Sequence, residues 1–299
     1  MKKKINIKDF KDCKKELDKI INKYIFEYLK TGISPTKEPQ RYMNAFTIIQ
    51  NLSDKGDDMS QNLLDCYKQT IRCYILDCRK ELSTGNNANL IDGFLFHTKQ
   101  INFVIYWMNR IFSYLDRFYT KQNTKKTLSQ HAIILYREEF FDEFKSNIFI
   151  EVNKLIKEER NGNLESRIKI KSIMEILKYL DLEFPKITKI KDKIIWISEK
   201  EKDEKGQALI QDEWFNNYFK EDTKKFAEEK ANADIHSMSA PEYVSSQLKY
   251  LDEELERKNE YINPKYHSAI DTINYECLIG GVMNELAEMD IQIITKKLD

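Results

Sequence analysis

The five cysteines and four histidines are the side chains here best suited to metal or nucleophilic chemistry, and spacing decides whether they can do it. Cys66, Cys73 and Cys78 fall on one helically periodic stretch. A structural zinc site would need ligands paired on a turn and placed tetrahedrally. Cys66 and Cys73 are seven residues apart, on one helix face, and no histidine stands at ligand spacing beside them. No metal site is expected. Together with Cys13 and Cys277 they make a sparse, odd set, read as reduced thiols of an intracellular protein that serve as small buried hydrophobes. His97, His131, His236 and His267 are scattered, none has a second histidine four residues on, and H-E-x-x-H is absent. An isolated imidazole defines no general base. The acidic pairs Asp57-Asp58 and Glu138-Glu139 read as loop or solvated helix face. The lysine-rich stretch 121–126 reads as a solvated loop able to touch a phosphate-bearing partner. Neither Gly-rich phosphate loop, G-x-x-x-x-G-K-[ST] nor G-x-G-x-x-G, occurs. No catalytic residues and no cofactor are expected.

The elements that must position these residues are helices almost throughout. Eight glycines and five prolines in 299 residues are too few for the turns of a β-sandwich or barrel. Lys+Arg and Asp+Glu are 49 each, so a general nucleic-acid binder is disfavoured, and 41% apolar content supplies a core. No secretory signal follows the basic start, and no run of apolar residues is long enough to span a membrane. Apolar positions recur at threes and fours over 9–31, 40–52, 63–78, 94–119, 129–160, 164–182, 212–231, 241–262 and 265–297. The stretch 94–119 fits either one helix or two with a break near Asn102. The helix at 241 carries the stripe Val244, Leu248, Leu251, Leu255 and Ile262, and the last helix is expected to break at Gly280-Gly281. Residues 186–211 read as a charged insertion anchored by Ile194, Ile195, Trp196 and Ile197. Long helices with short loops predict an all-α rod or solenoid.

Four segments, in order, resemble the N-terminal region of the cullins, scaffolds of multi-subunit ubiquitin ligases. Arg41-Tyr42-Met43-Asn44-Ala45-Phe46-Thr47 is similar to the family's Y-M-x-L-Y-T. The stretch from Met108 to Tyr119, with Tyr114-Leu115-Asp116-Arg117 inside it, resembles its aromatic Y-L-[ND]-R segment. The stretch from Phe215 to Phe226 is similar to F-x-x-x-[FY]-L-x-[DE]-T-x-x-[FY]. Pro241-Glu242-Tyr243, with Leu255-Glu256-Arg257 and Tyr261 beyond, resembles the P-E-Y helix. The resemblance covers most of residues 10–290. The Tyr42-Met43 pair tilts it toward the cullin 1 branch. Ala45 and Phe46 depart from the Leu and Tyr usual there, and 186–211 looks longer than usual.

The resemblance implies an elongated stalk of stacked five-helix repeats, all-α. Residues 1–155 would form the first, adaptor-binding repeat. Residues 156–299 would form the second, with the insertion 186–211 and the opening of a third. It implies a non-catalytic scaffold of a cullin–RING ubiquitin ligase, cytoplasmic or nuclear, binding a Skp-type BTB/POZ-fold adaptor that carries an F-box protein. A RING-box protein would bind only through a C-terminal region absent from this sequence, so the chain is either a fragment or a truncated homologue. Neither nucleic acid nor membrane is an expected partner. The adaptor-docking helices of the family map to 41–52 and 102–120. On the first, Tyr42, Phe46 and Ile49 form one stripe and Met43, Thr47 and Gln50 the next; Tyr42, Met43, Phe46 and Gln50 are the candidates. On the second, Val104, Met108, Ile111 and Leu115 should face inward, leaving Tyr106, Asn109, Arg110, Ser113 and Arg117 as candidates, with Tyr114 packed inside. A helical tether or membrane-traffic scaffold unrelated to ubiquitin is the competing reading.

Overall fold

Helical periodicity becomes helix wherever a cap starts it and a turn breaks it. In the computed structural model, residues 10–31, 39–84, 89–199 and 209–289 are described. The chain forms two compact units: Met1–Lys145 with Leu182–Gly206, and Ser146–Asp181 with Gln207–Asp299. Residues 290–299, the end of the expected second repeat, lie outside the described residues.

The first unit contains α1 (Phe10–Ile21), α2 (Glu27–Thr31), α3 (Pro39–Ser53), α4 (Asp57–Thr84), α5 (Leu90–Ile111), α6 (Ser113–Leu115), α7 (Lys121–Thr124) and α8 (Leu128–Tyr136). Asn89 starts α5 by accepting from the Ile91 N–H, and Thr127 with Gln130 forms a capping box on α8. Helix α5 runs unbroken through Asn102 and ends at Phe112, whose ψ of 12° leaves the helical range. Wide π-helical turns at Asn22–Phe26, Asp116–Thr120 and Arg137–Phe141 each shift the apolar stripe around the axis. At the third of these, adjacent Phe140 and Phe141 are both fully buried, with Phe140 stacked on Phe94 at 5.5 Å. Cys66 and Cys78 are buried as expected, and burial first of all pushes the Cys78 thiol up to about 12. Cys73 is exposed instead, accepting from Gln69. Helix α4 begins at Asp57, so it takes in much of the expected loop Ser53–Ser60.

His131 on α8 is half-buried, its Nε2 3.0 Å from Thr124 Oγ1. Burial, with Lys68 and Lys126 nearby, pushes its pKa down from 6.5 to about 4. The folded value lies below the unfolded one, so its stability contribution is complete above about pH 6.5 and lost as pH falls toward 4. After allowance for partial exposure, the wild type should lose about 1–2 kcal/mol more than His131→Asn across that window. Urea midpoints at paired pH values measure this, and parallel curves would refute it.

The expected charged insertion is an antiparallel hairpin of the first unit: β1 (Pro185–Ile190) and β2 (Lys193–Ser198), paired from Pro185↔Ser198 to Ile190↔Lys193. Buried Ile187 and Trp196 face each other across it, and Trp196 Nε1 donates to Asn102 Oδ1 at 2.9 Å. The hairpin packs against α5 and α8.

The second unit holds most of α9 (Asp142–Arg160), then α10 (Ser166–Leu180), α11 (Leu209–Trp214), α12 (Lys220–Ile235), α13 (Ala240–Tyr261) and α14 (His267–Leu278). A 3₁₀ turn at Gly280–Val282 follows α14, where the break was expected. Helix α13 corrects the sequence reading. Val244, Leu248 and Leu255 of its aliphatic stripe are exposed and Leu251 is half-buried; Ile262, just past its end, is buried. The buried face is Tyr243, Gln247, Tyr250, Glu254, Arg257 and Tyr261. Two stripes of helical period compete on this helix, and the aromatic one wins because large rings bury area and several of its polar ends find partners. Tyr243 donates to the Leu278 carbonyl at 2.7 Å, Gln247 to Asp234 at 2.7 Å, and Tyr261 to Glu159 at 2.8 Å. Leu248→Lys should therefore shift the melting temperature by no more than about 2 °C. A collapse of the fold would show the stripe to be core after all.

Candidate functional site

Helix α3 buries Ala45, Ile48, Ile49 and Leu52, a stripe that shares Ile49 with the first expected one and lies on its far side from the second. Tyr42 and Phe46 therefore sit on the border, half-buried, beside half-buried Gln50, while Met43 is 50% exposed. On α5 and α6 the expected inward stripe Val104, Met108, Ile111 and Leu115 is fully buried. This seats α5 and α6 against α3 and brings the two candidate segments onto one face.

Arg110 anchors one end of that face. The Tyr42 hydroxyl donates to the Arg110 carbonyl at 3.1 Å, and the Arg110 guanidinium donates to the Tyr106 hydroxyl at 2.9 Å. The same guanidinium lies 5.8, 5.7 and 5.3 Å from the rings of Tyr42, Tyr106 and Trp107. Three rings hold an exposed cation in one place, so less side-chain entropy is lost when it meets a partner. At the other end Phe46 meets Tyr114 edge-on at 6.2 Å, and Tyr114 packs on Phe118 at 4.5 Å. The Tyr114 hydroxyl donates to Asp54 Oδ1 at 2.6 Å, and Arg117 lies over Phe118 at 5.9 Å.

Of the nine candidates, Met43, Arg110, Ser113 and Arg117 are exposed and Tyr42, Phe46 and Gln50 half-buried. Tyr106 is buried, reaching this face through its bond to Arg110. Asn109 is turned inward: Oδ1 accepts from the Tyr67 hydroxyl and Nδ2 donates to Ser129 Oγ at 2.9 Å. It ties α5 to α4 and α8 and offers the surface little. Tyr114, expected inside, belongs to the face, because the chain bends at Phe112 before it. Phe118, 52% exposed, was missed. Its position four residues after Tyr114 was the available signal, since residues so spaced share a helix face.

Exposed Arg, Met and Phe beside half-buried Tyr and Phe form the composition of a protein-docking surface. Among the described residues no group of three or more His, Cys, Asp or Glu is placed to hold a metal ion, and no helix is long and apolar enough to cross a membrane.

The family model described as Cullin, Cullin alpha solenoid domain, matches residues 11–299. The chain is 25% identical over 165 residues to Cullin-1 of Oryza sativa subsp. japonica, covering 50% of this chain and 22% of that protein. It is 23% identical over 274 residues to Cullin-2 of Arabidopsis thaliana, covering 88% and 31% respectively. It is 23% identical over 287 residues to Putative cullin-like protein 1 of Arabidopsis thaliana, covering 90% and 34%. The chain thus spans a third or less, or little more, of the length of these relatives.

Proposed function

The chain belongs to the cullin family, and we propose that it serves as the adaptor-binding part of a ubiquitin-ligase scaffold. Its partner on this reading is a Skp-type BTB/POZ-fold adaptor carrying an F-box protein, as in the cullin 1 branch, in the cytoplasm or nucleus. The work is positional. The chain makes and breaks no bond; it holds a substrate receptor at a set distance from a RING–E2 module bound elsewhere on the scaffold, so ubiquitin transfer gains from proximity and orientation. The two units correspond, on this reading, to successive cullin repeats, with the hairpin as an addition to the first.

The observation that carries the proposal is the convergence of Tyr42, Met43 and Phe46 with Arg110, Tyr114 and Phe118 on one face. These are the segments whose sequence resembles the family's adaptor-docking helices. Calorimetric titration of the chain with a Skp-type adaptor bound to an F-box peptide tests it. Saturable one-to-one binding, burying on the order of 1,600 Å² in total, is expected. Binding to the BTB adaptor of another cullin branch, with none to the Skp-type protein, would move the chain to that branch. Retention of neither would leave a helical tether.

A further inference from the structure

The hairpin is built like a strand pair covered on both sides, yet among the described residues its large buried side chains, Ile187 and Trp196, lie on one face. Inward-facing Ile187 and Trp196 pack against α5 and α8. Alternation sends Lys186, Thr188 and Ile190 of β1 and Lys193, Ile195 and Ile197 of β2 to the opposite face, paired Lys186↔Ile197, Thr188↔Ile195 and Ile190↔Lys193. A two-stranded sheet with one solvated face ordinarily shows polar residues there. Here three isoleucines stand outward. The unbroken run Ile194-Ile195-Trp196-Ile197 is the pattern of a strand buried on both faces. Ile190 is 52% exposed, and Ile195 and Ile197 are partly exposed.

Charge says what the missing cover is. The hairpin carries four lysines, Lys186, Lys189, Lys191 and Lys193, all exposed, against the single acid Asp192. Asp192 is 3.7 Å from Lys189, leaving three lysines unmatched within the hairpin. Lys191 sits at the tip with φ of 53°, which turns the chain back tightly and keeps the lysines together. An aliphatic strip framed by lysines that outnumber the hairpin's own acid fits a segment that brings both aliphatic side chains and carboxylates. The chain's own residues 1–9 suit it poorly, since Lys2, Lys3, Lys4 and Lys8 would add to the positive charge.

We propose that the outward face of this hairpin docks an extended acidic segment of a partner protein, in which aliphatic residues alternate with Asp or Glu. The aliphatic side chains cover Ile190, Ile195 and Ile197, and the carboxylates meet Lys186, Lys193 and the tip lysines. This surface is separate from the α3–α5–α6 face and does not depend on the adaptor reading.

The test uses the 299-residue chain and a fluorescein-labelled peptide of about ten residues alternating glutamate with valine, followed by anisotropy. Saturable binding is expected, weakened about tenfold or more by K186E/K191E/K193E and likewise by Ile195→Thr with Ile197→Thr. A lysine–valine peptide should not bind, and a glutamate–serine peptide should bind much more weakly. Hydrogen exchange on the wild type gives a readout that survives a misfolding variant: the peptide should slow exchange in 185–198. Equal binding of the glutamate–serine peptide, stronger competition by a thymidine oligonucleotide, or no binding at about 1 mM would each overturn the proposal.

Discussion

Glu254→Ala should destabilise the second unit by about 3–5 kcal/mol, the largest single-residue effect expected in this chain. Glu254 is almost wholly buried and accepts from Arg160 at 2.9 and 3.1 Å and from Arg257 at 2.9 Å. Burial alone would push its carboxyl up, but the two guanidiniums outweigh that and hold it below the ordinary carboxylate range. Arg160 is just as deeply buried, lying 5.7 and 5.1 Å from the rings of Phe219 and Phe226 and donating to Thr223 at 3.2 Å. Deleting the carboxylate leaves Arg160 desolvated without its carboxylate partner, while Arg257 keeps Glu253 at 3.2 Å, and it is the orphaned charge that costs stability. A second alteration makes the expectation specific. Glu254→Leu combined with Arg160→Met removes both charges at similar volume and should cost clearly less than the sum of the two single changes. Urea unfolding followed by circular dichroism and by tryptophan fluorescence measures all four variants. A loss of under about 1 kcal/mol for Glu254→Ala would mean the cluster is solvated in solution.

The same cluster explains why the sequence misplaced the exposed side of α13. Hydropathy ranks Val244, Leu248, Leu251 and Leu255 above a stripe containing Gln247, Glu254 and Arg257, so periodicity alone buries the wrong one. The partners that make Glu254 acceptable inside are Arg160, on α9, and Arg257, on α13 itself; Arg160 is 94 positions away in the chain, beyond any local window. Where the core is made of aliphatics alone, as in Val104, Met108, Ile111 and Leu115, the period reads correctly and the helix follows. Helix α3 is an intermediate case: centring its stripe on Ala45 required knowing that a small residue marks the line of closest helix approach. The hairpin was hidden for another reason. Its inward alternation rests on only Ile187 and Trp196, while outward isoleucines and four lysines blur the two-residue period. The π-helical turns are likewise invisible to a fixed period of 3.6, yet they let neighbouring phenylalanines share one core. On the docking face, the resemblance supplied the two segments, and geometry redistributed the residues within them. Asn109 turned inward, while Tyr114 and Phe118 turned out.

Truncating Met43 and Phe118 together to alanine should weaken adaptor binding by at least about 2 kcal/mol, roughly thirtyfold in Kd. Both side chains are about half exposed in the free chain, at 50% and 52%. Their removal therefore costs the fold little, whereas a bound partner would desolvate them fully. Phe118 also fixes its neighbours: it packs on Tyr114, which packs on Phe46, so the loss propagates along the aromatic row. Tyr42 with Arg117 is the other informative pair, and its truncation should weaken binding to a similar degree. That pair is less clean, because the Tyr42 hydroxyl holds the Arg110 carbonyl and so fastens α3 to α5. Tyr42→Phe separates the two roles, since it keeps the ring beside Arg110 and removes only the hydrogen bond. If the ring is the anchor, Tyr42→Phe binds nearly as the wild type does while Tyr42→Ala does not. Calorimetry on each variant, beside its melting curve, distinguishes a lost contact from a loosened helix. Wild-type affinity in the Met43 and Phe118 double variant, with the fold intact, would place the adaptor elsewhere on the chain. Weakened affinity with an unchanged melting temperature would make this face, rather than the unit as a whole, the determinant of binding.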